Sequence, residues 1–295
     1  LDGQVLAQQP FEGQVESFGY IFLGRDNTYP TTPGGVYYKD LKIYAGETEY
    51  PFSNIADPYE EMGHRKIGGQ GVVISDVDNN GQEDIYVSRF YNSGYDVPNL
   101  LYVRNNGSFS EEGELRGVDD PSYSYQSLVG DFDSDGDNDV FVVNFHRSPD
   151  WSNAPNHLYI NDGSGNFIDQ SNNLSGNTAA DSKGATMLDI ENDGDLDLVV
   201  VNSKDQHQVY VNNGSARFNV ETRGLESFRS SARNYKDVTS GDLNKDGFQD
   251  LVITHDSGLS IAKNNGAGTF IPSIELAVPT SANTTTLADI DGDAD

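Results

Sequence analysis

The chain contains no cysteine, one tryptophan, two methionines, and only 18 lysines and arginines against 47 aspartates and glutamates in 295 residues. Without cysteine there is no disulfide framework, no thiolate metal site and no thiol nucleophile. The formal net charge of -29 repels nucleic acid and anionic membrane, so neither is expected as a partner. No transmembrane stretch is present, and Leu1-Asp2-Gly3-Gln4 has neither the basic start nor the apolar centre of an export signal. Also missing are a Gly-x-Ser-x-Gly elbow, a His-Glu-x-x-His pair and a phosphate-binding Gly-Lys-Thr loop. The chain is therefore not expected to be an enzyme. The catalytic alternative left open is a polysaccharide lyase or glycosidase, whose tyrosine, histidine, arginine or carboxylates need no local motif.

What the chain has in abundance is one acidic loop, written five times as Asp-x-(Asp/Asn/Glu)-x-(Asp/Asn)-Gly. The copies begin at Asp76, Asp131, Asp189, Asp242 and Asp289. Counting the first aspartate as position 1, positions 3, 5 and 9 are Asp78, Asn80 and Asp84 in the first loop and Asp133, Asp135 and Asp139 in the second. They are Glu191, Asp193 and Asp197 in the third, and Asn244, Asp246 and Asp250 in the fourth. The last copy, with Asp291 and Asp293, has Ala294 where glycine belongs and stops at Asp295. Oxygen ligands at alternate positions, with a glycine allowing a sharp turn, are what a hard cation such as Ca²⁺ requires.

Spacing separates this reading from its competitors. An EF-hand needs a bidentate glutamate at position 12 between two helices, whereas here position 12 is Val87, Val142, Val200 or Ile253. Those residues lie in β-branched and aromatic runs suited to strands, such as Asp139-Val-Phe-Val-Val-Asn-Phe145. A single Asp-Gly would signify no more than a hairpin turn. Four full copies, each keeping acids at positions 1 and 9, call for a common ligand.

The loops start 55, 58, 53 and 47 residues apart, an interval that implies solenoids, propellers or arrays. Within each period a small-residue strand enters the loop (Val72 to Ser75, Ser127 to Gly130, Ala185 to Leu188, Val238 to Gly241). The β-branched run follows, then a third strand such as Asn156-His-Leu-Tyr-Ile-Asn161, a Gly turn, and a fourth strand near Phe109, Phe167, Phe218 or Phe270. Four short antiparallel strands per repeat make a propeller blade.

These residues resemble the FG-GAP or VCBS repeats of integrin α-chain propellers and of many secreted bacterial proteins, over roughly Gly63 to Asp295. The resemblance implies an all-β fold, a β-propeller of four-stranded antiparallel blades that is partial within this chain, with about four or five Ca²⁺ ions. It implies ligation by the side chains at positions 1, 3, 5 and 9 and by the carbonyl at position 7, here Gln82, Asp137, Asp195 or Phe248. The Phe-Gly and Gly-Ala-Pro flanks of the family are absent, so integrin-like partner binding is not implied.

The first 50 residues follow another pattern, with strand-like runs at Leu1 to Ala7, Phe18 to Arg25 and Gly34 to Ala45. They resemble the closing strands of a laminin-G or concanavalin-like jelly roll. The expected organisation is residues 1–50 as the end of a β-sandwich, 51–63 as linker and 64–295 as about four blades plus the start of a fifth. A whole sandwich would need more residues upstream, so the chain is read as an internal piece of a longer secreted or surface-exposed polypeptide.

Two long connections between second and third strands bring Tyr91, Tyr95, His146, Arg147 and Trp151 to the rim opposite the acidic loops. Aromatic faces beside a cation could hold a sugar or a protein partner. The expected function is extracellular adhesion, recognition or assembly through a protein or glycan, with self-assembly as one form; a carbohydrate-binding lectin module is the alternative. Asn106, Asn173, Asn213 and Asn283 begin Asn-x-Ser/Thr sequons that could carry glycans on a eukaryotic secretory route.

Overall fold

The computed structural model describes residues 68–90, 98–146, 152, 154–228, 233–277 and 283–287, together with three short strands at 20–22, 42–45 and 48–51. Those three strands, β1 (Tyr20–Phe22), β2 (Lys42–Ala45) and β3 (Thr48–Pro51), form an antiparallel sheet in the order β1-β2-β3. The expected strand at Leu1 to Ala7, the linker 51–63 apart from Pro51, and the fifth acidic loop with Asp289, Asp291 and Asp293 lie outside the described residues.

Four blades follow, each with four consecutive antiparallel strands, the third widened by a short fifth strand. The first blade is β4 (Gly68–Ser75), β5 (Asp84–Phe90), β6 (Leu100–Asn105) and β7 (Ser108–Glu111); a one-turn helix, α1 (Gly113–Arg116), leads on. The second is β8 (Tyr123–Gly130), β9 (Asp139–His146), β10 (His157–Asn161) and β11 (Phe167–Asp169). A two-residue strand, β12 (Leu174–Ser175), leaves the second blade and pairs in parallel with the outer strand of the third. The third blade is β13 (Ser182–Leu188), β14 (Asp197–Asn202), β15 (Gln208–Val211) and β16 (Phe218–Glu221), and the fourth is β17 (Tyr235–Gly241), β18 (Asp250–His255), β19 (Gly258–Asn264) and β20 (Phe270–Ala277). The inner strands extend beyond the four residues expected from sequence, because their polar N-terminal halves still pair with the second strands.

Blades stack face to face, and the period-2 alternation of the second strands shows why both faces must be apolar. In β9, Val140 and Val142 point into a core shared with Tyr86, Leu101 and Val103 of the first blade. The intervening Phe141 and Val143 point the other way, into a core shared with Leu198, Val200 and Tyr210 of the third. A third core joins Val199, Val201 and Val209 to Leu251, Ile253 and Phe270. Each fully buried side chain of this kind contributes about 1.5–3 kcal/mol, so the stack is held chiefly by these sandwiched layers.

A buried asparagine adds direction to the apolar stacking. At the end of the third strand of each later blade, or just past it, stands Asn161, Asn212 or Asn264, and the Nδ2 of each donates to the carbonyl at loop position 2 of the preceding blade. The acceptors are Val77 O at 2.7 Å, Phe132 O at 2.8 Å and Ile190 O at 3.0 Å. Asn161 and Asn212 also donate to a carbonyl of their own loop, Asn138 O and Leu196 O. Replacing Asn161 by alanine leaves two carbonyl acceptors without this donor in a site where water is excluded. Asn161→Ala is expected to cost about 2 kcal/mol, read as a lower urea midpoint at unchanged m-value.

Candidate metal centre

The four acidic loops adopt one conformation. At position 1 the carboxylate accepts two backbone N–H groups from positions 5 and 6: Asp76 from Asn80 and Gly81 at 3.1 and 2.7 Å, and Asp131 from Asp135 and Gly136 at 3.1 and 3.0 Å. Asp189 and Asp242 repeat the pattern. The position-5 side chain accepts the N–H of position 7, as from Asn80 Oδ1 to Gln82 N at 2.8 Å. Positions 4 and 6 have positive φ in all four loops; glycine occupies position 6, and Asn79, Ser134, Asn192 and Lys245 occupy position 4. Two left-handed residues out of three fold the chain tightly enough to turn alternate side chains inward.

Position 9 is the floor of the cage. Asp84, Asp139, Asp197 and Asp250 are buried at the start of the second strands. One oxygen of Asp84, Asp139 and Asp197 accepts the N–H of position 2, namely Val77, Phe132 or Ile190. In all four loops the other oxygen accepts an N–H from the third strand, namely Arg104, Asn161, Asn212 or Asn264. In the first two loops the acids at positions 1, 3 and 9 bring ligand atoms within 4.8 Å of one another.

In each of the first three loops the position-3 acid holds one buried carboxylate oxygen to which no donor comes: Asp78 Oδ1, Asp133 Oδ1 and Glu191 Oε2. A buried acceptor without a donor costs about 1–3 kcal/mol, and a cation would satisfy all three. The hard oxygen donors fit a divalent ion of the Ca²⁺ type, held by positions 1, 3, 5 and 9. The first and fourth loops carry three acids at these positions against four in the second and third; in the fourth, position 3 is Asn244, whose Nδ2 is turned to Asp246 at 2.9 Å.

Electrostatics agree with geometry. Burial pushes Asp84 up to about 6 and Asp139 up to about 7, with neighbouring loop carboxylates adding to the shift and backbone N–H groups opposing it. Asp197 and Asp250 are raised for the same first reason. Position-7 side chains take no part in the cage. Gln82 accepts the N–H of Gly107, and Asp137, Asp195 and Phe248 lie against Gly163, Gly214 and Gly266 in the turns between third and fourth strands. Only the position-7 carbonyl is therefore left to serve as a ligand.

Two arginines that sequence reasoning did not single out complete the first and third loops. Arg116 reaches back to Asp78 at 3.4 Å and forward from Nη1 to Ser164 O in the second blade at 2.6 Å, while its Nε binds Glu112. Arg223 does the same between Glu191 at 2.7 Å and Gly268 O in the fourth blade, with Nε on Glu221. Gly165 and Gly268 lie beneath these guanidinium groups at positive φ, and a Cβ on either would come within 2.7 Å of the arginine. The signal in the sequence was Arg-Gly followed by an aliphatic residue, five to seven places after the fourth-strand phenylalanine.

Of the residues expected at the opposite rim, Tyr91, Tyr95, Arg147 and Trp151 lie outside the described residues, and His146 closes β9 in backbone register with Tyr123. Beside it, Phe90, Tyr123, Tyr125 and Phe145 form an aromatic cluster, and Lys183 stands over the rings of Phe145 and Tyr125 at 3.4 and 4.0 Å. His157 pairs with buried Asp120 at 2.7 Å. His207 is buried edge-on to Tyr235, burial pushing its imidazole down to about 4. Asn106 and Asn213 are exposed in turns between third and fourth strands, Asn173 is half-buried, and exposed Asn283 accepts from Lys236 at 2.7 Å.

Fold and loops together define an all-β repeat protein of propeller blades, each carrying an acidic cage between its first two strands. The chain belongs to the FG-GAP-like repeat family, whose model matches residues 76–142, 131–200, 189–253 and 242–295. A comparison with curated proteins finds no match. Among solved structures the chain is similar to the V. cholerae biofilm matrix protein Bap1, at 15% identity and TM-score 0.39, over 70% of this chain and 39% of that one. It is similar to rhamnogalacturonan lyase YesW at 15% identity and TM-score 0.42, over 74% and 52%. It is similar to the Photorhabdus luminescens Tc holotoxin pore at 18% identity and TM-score 0.36, over 80% and 10%. The chain thus spans between a tenth and about half of the length of these proteins.

The raised carboxyls give a pH dependence of definite sign. A carboxyl whose folded pKa exceeds its unfolded value near 4 contributes stability below that value and loses it as pH rises through the folded pKa. In excess chelator the unfolding temperature is therefore expected to fall between about pH 4 and about pH 7, the window of Asp84 and Asp139. Thermal scans across that range check it; a flat or rising profile contradicts the cage geometry.

Proposed function

We propose that this chain is a secreted or cell-surface calcium-binding repeat module whose blades present a rigid surface for adhesion, recognition or matrix assembly. The observation that carries this reading is the orphaned, buried position-3 carboxylate oxygen in three of four loops that share one hydrogen-bond pattern. Millimolar calcium, abundant outside cells and scarce inside, suits cages of this kind. If each binds with the ~10⁻⁴ M affinity typical of extracellular modules, ~1 mM calcium contributes about 1.4 kcal/mol per site. Over four loops that approaches the stability of a typical domain, so calcium becomes a condition of the fold.

Absence of cysteine accords with this role, the cages serving as crosslinks where other exported proteins use disulfides. Among the described residues no helix is long and apolar enough to cross a membrane. The partner class we assign is an extracellular protein or glycan, met at the rim away from the acidic loops. The net charge of -29 disfavours anionic partners elsewhere on the surface. Residues 1–50 we assign to the end of a laminin-G-like sandwich that precedes the blades.

The test is calcium titration by calorimetry with a parallel thermal melt. We expect about one ion per intact loop and an unfolding temperature that rises with calcium and falls in chelator. Asp133→Asn removes the orphaned acid of the second loop and is expected to delete one ion from the stoichiometry while leaving the others. Calcium without effect on either the heat or the melt would overturn the proposal.

A further inference from the structure

Arg116 and Arg223 each leave one carboxylate half engaged. Nη2 of Arg116 donates to Asp78 Oδ2 at 3.4 Å, while Oδ1 of the same carboxylate is buried with no donor. Nη2 of Arg223 donates to Glu191 Oε1 at 2.7 Å, while Oε2 is again buried with no donor. Both acids stand at position 3 of a loop, and both guanidinium groups are anchored in the following blade, on Ser164 O and Gly268 O. The third contact of each, from Nε to Glu112 or Glu221, answers the guanidinium charge with a carboxylate outside the cage. Repulsion between the arginine and a cation in the loop is thereby offset, and what remains is the orientation of the position-3 carboxylate.

The joint between second and third blades is built without this device. Asp133, at position 3 of the second loop, also has a donorless buried oxygen, but among the described residues no arginine pairs with it. Two places before the fourth-strand phenylalanine stand Gly165 in the second blade and Gly268 in the fourth, but Ala216 in the third. A Cβ on Gly165 would lie 2.7 Å from Arg116 Nη1 and 2.8 Å from Asp78 Cβ, and one on Gly268 would lie 2.6 Å from Arg223 Nη1. Ala216 keeps a positive φ and donates its N–H to Phe132 O at 2.9 Å, so alanine fits this turn where no arginine has to pass. We infer that Arg116 and Arg223 are positioning residues for cation binding. Each holds the position-3 carboxylate of one blade from an anchor in the next, and so ties the calcium affinity of the first and third loops to docking of the second and fourth blades. The second loop takes no such support from the third blade. This rests on the calcium reading above and adds a pairing to it, with the first and second blades as one calcium-dependent unit and the third and fourth as another.

The experiment follows the backbone amide signals of Gly81, Gly136, Gly194 and Gly247, one position-6 glycine per loop, by NMR while calcium is added to the 295-residue chain. Arg116→Ala is expected to raise the calcium concentration at the Gly81 midpoint by about 10-fold and to leave the other three midpoints in place. Arg116→Lys keeps the charge but not the planar fork that reaches three acceptors, and is expected to lose as much. Gly165→Ala, for which Ala216 is the precedent, displaces the arginine from the second blade; it is expected to weaken the first loop and to spare the second. Ala216→Gly, the reverse change, is expected to shift neither Gly136 nor Gly81. Four glycines that do not respond to calcium in the unaltered chain would overturn the calcium reading and this inference with it. Where they respond, three results overturn this inference alone. They are a Gly81 midpoint unchanged by Arg116→Ala, a midpoint restored by Arg116→Lys, which would assign the effect to charge, and a Gly165→Ala effect confined to Gly136.

Discussion

The buried carboxylate at loop position 9 is the constraint on which the rest of the architecture depends. Asp84, Asp139, Asp197 and Asp250 each begin a second strand and draw a third-strand N–H onto one oxygen. A charge in that position fixes where the loop closes, which residue starts the strand and how the third strand registers against it. Burial makes the ionised form unfavourable, as the raised pKa values of these groups show. The fold thus depends on a charge that it does not fully compensate by itself. A divalent ion in the cage would supply the compensation, and ion binding and folding would then belong to one equilibrium.

The same residues pass information from blade to blade. Asn161 uses its backbone N–H to hold Asp139 of its own loop and its side-chain amide to hold the Val77 carbonyl of the loop before. Displacing one cage therefore strains its neighbour through a single buried side chain. Apolar cores between blades are the larger energy, but they are tolerant of small rotations; the asparagine is not, because its acceptor must lie within hydrogen-bond reach. Stacking provides the strength and the amides fix the angle.

Much of this was legible in the sequence, and the reasons are local. A metal loop needs its ligands within nine consecutive residues, so Asp131 to Asp139 can be read as a unit without knowing the fold. Strand order was legible for the same cause, since β-branched runs and Gly turns alternate within each repeat. Illegible were the contacts made across the repeat boundary. Arg116 lies 48 residues from Ser164, whose carbonyl it binds, and Asn161 lies 84 residues from Val77. Arginine and asparagine are ordinary residues for exposed turns, and nothing at the level of spacing marks these as buried clasps.

The interfaces between blades are not copies of one another, and the difference has a physical use. Between first and second blades, and again between third and fourth, an arginine clasps the loops and a position-4 asparagine crosses over, Asn79 to Asp137 and Asn192 to the Gly247 carbonyl. At those two joints the inner strand offers glycine, Gly71 or Gly184, against which the next inner strand packs closely. Between second and third blades the inner strand instead offers Gln126, which grips both backbone groups of Ala185, and β12 adds its parallel pairing. Repeats with identical faces can stack in any order and misassemble through shifted or exchanged units. Alternating joints make a shift by one blade oppose a glycine-fitted surface to a glutamine-fitted one, so that an arginine loses the carbonyl it holds in the next blade and a close approach is blocked. The cost of a lost hydrogen bond and a steric clash together then separates the correct stack from its nearest competitor, while an acidic cage is retained in every blade.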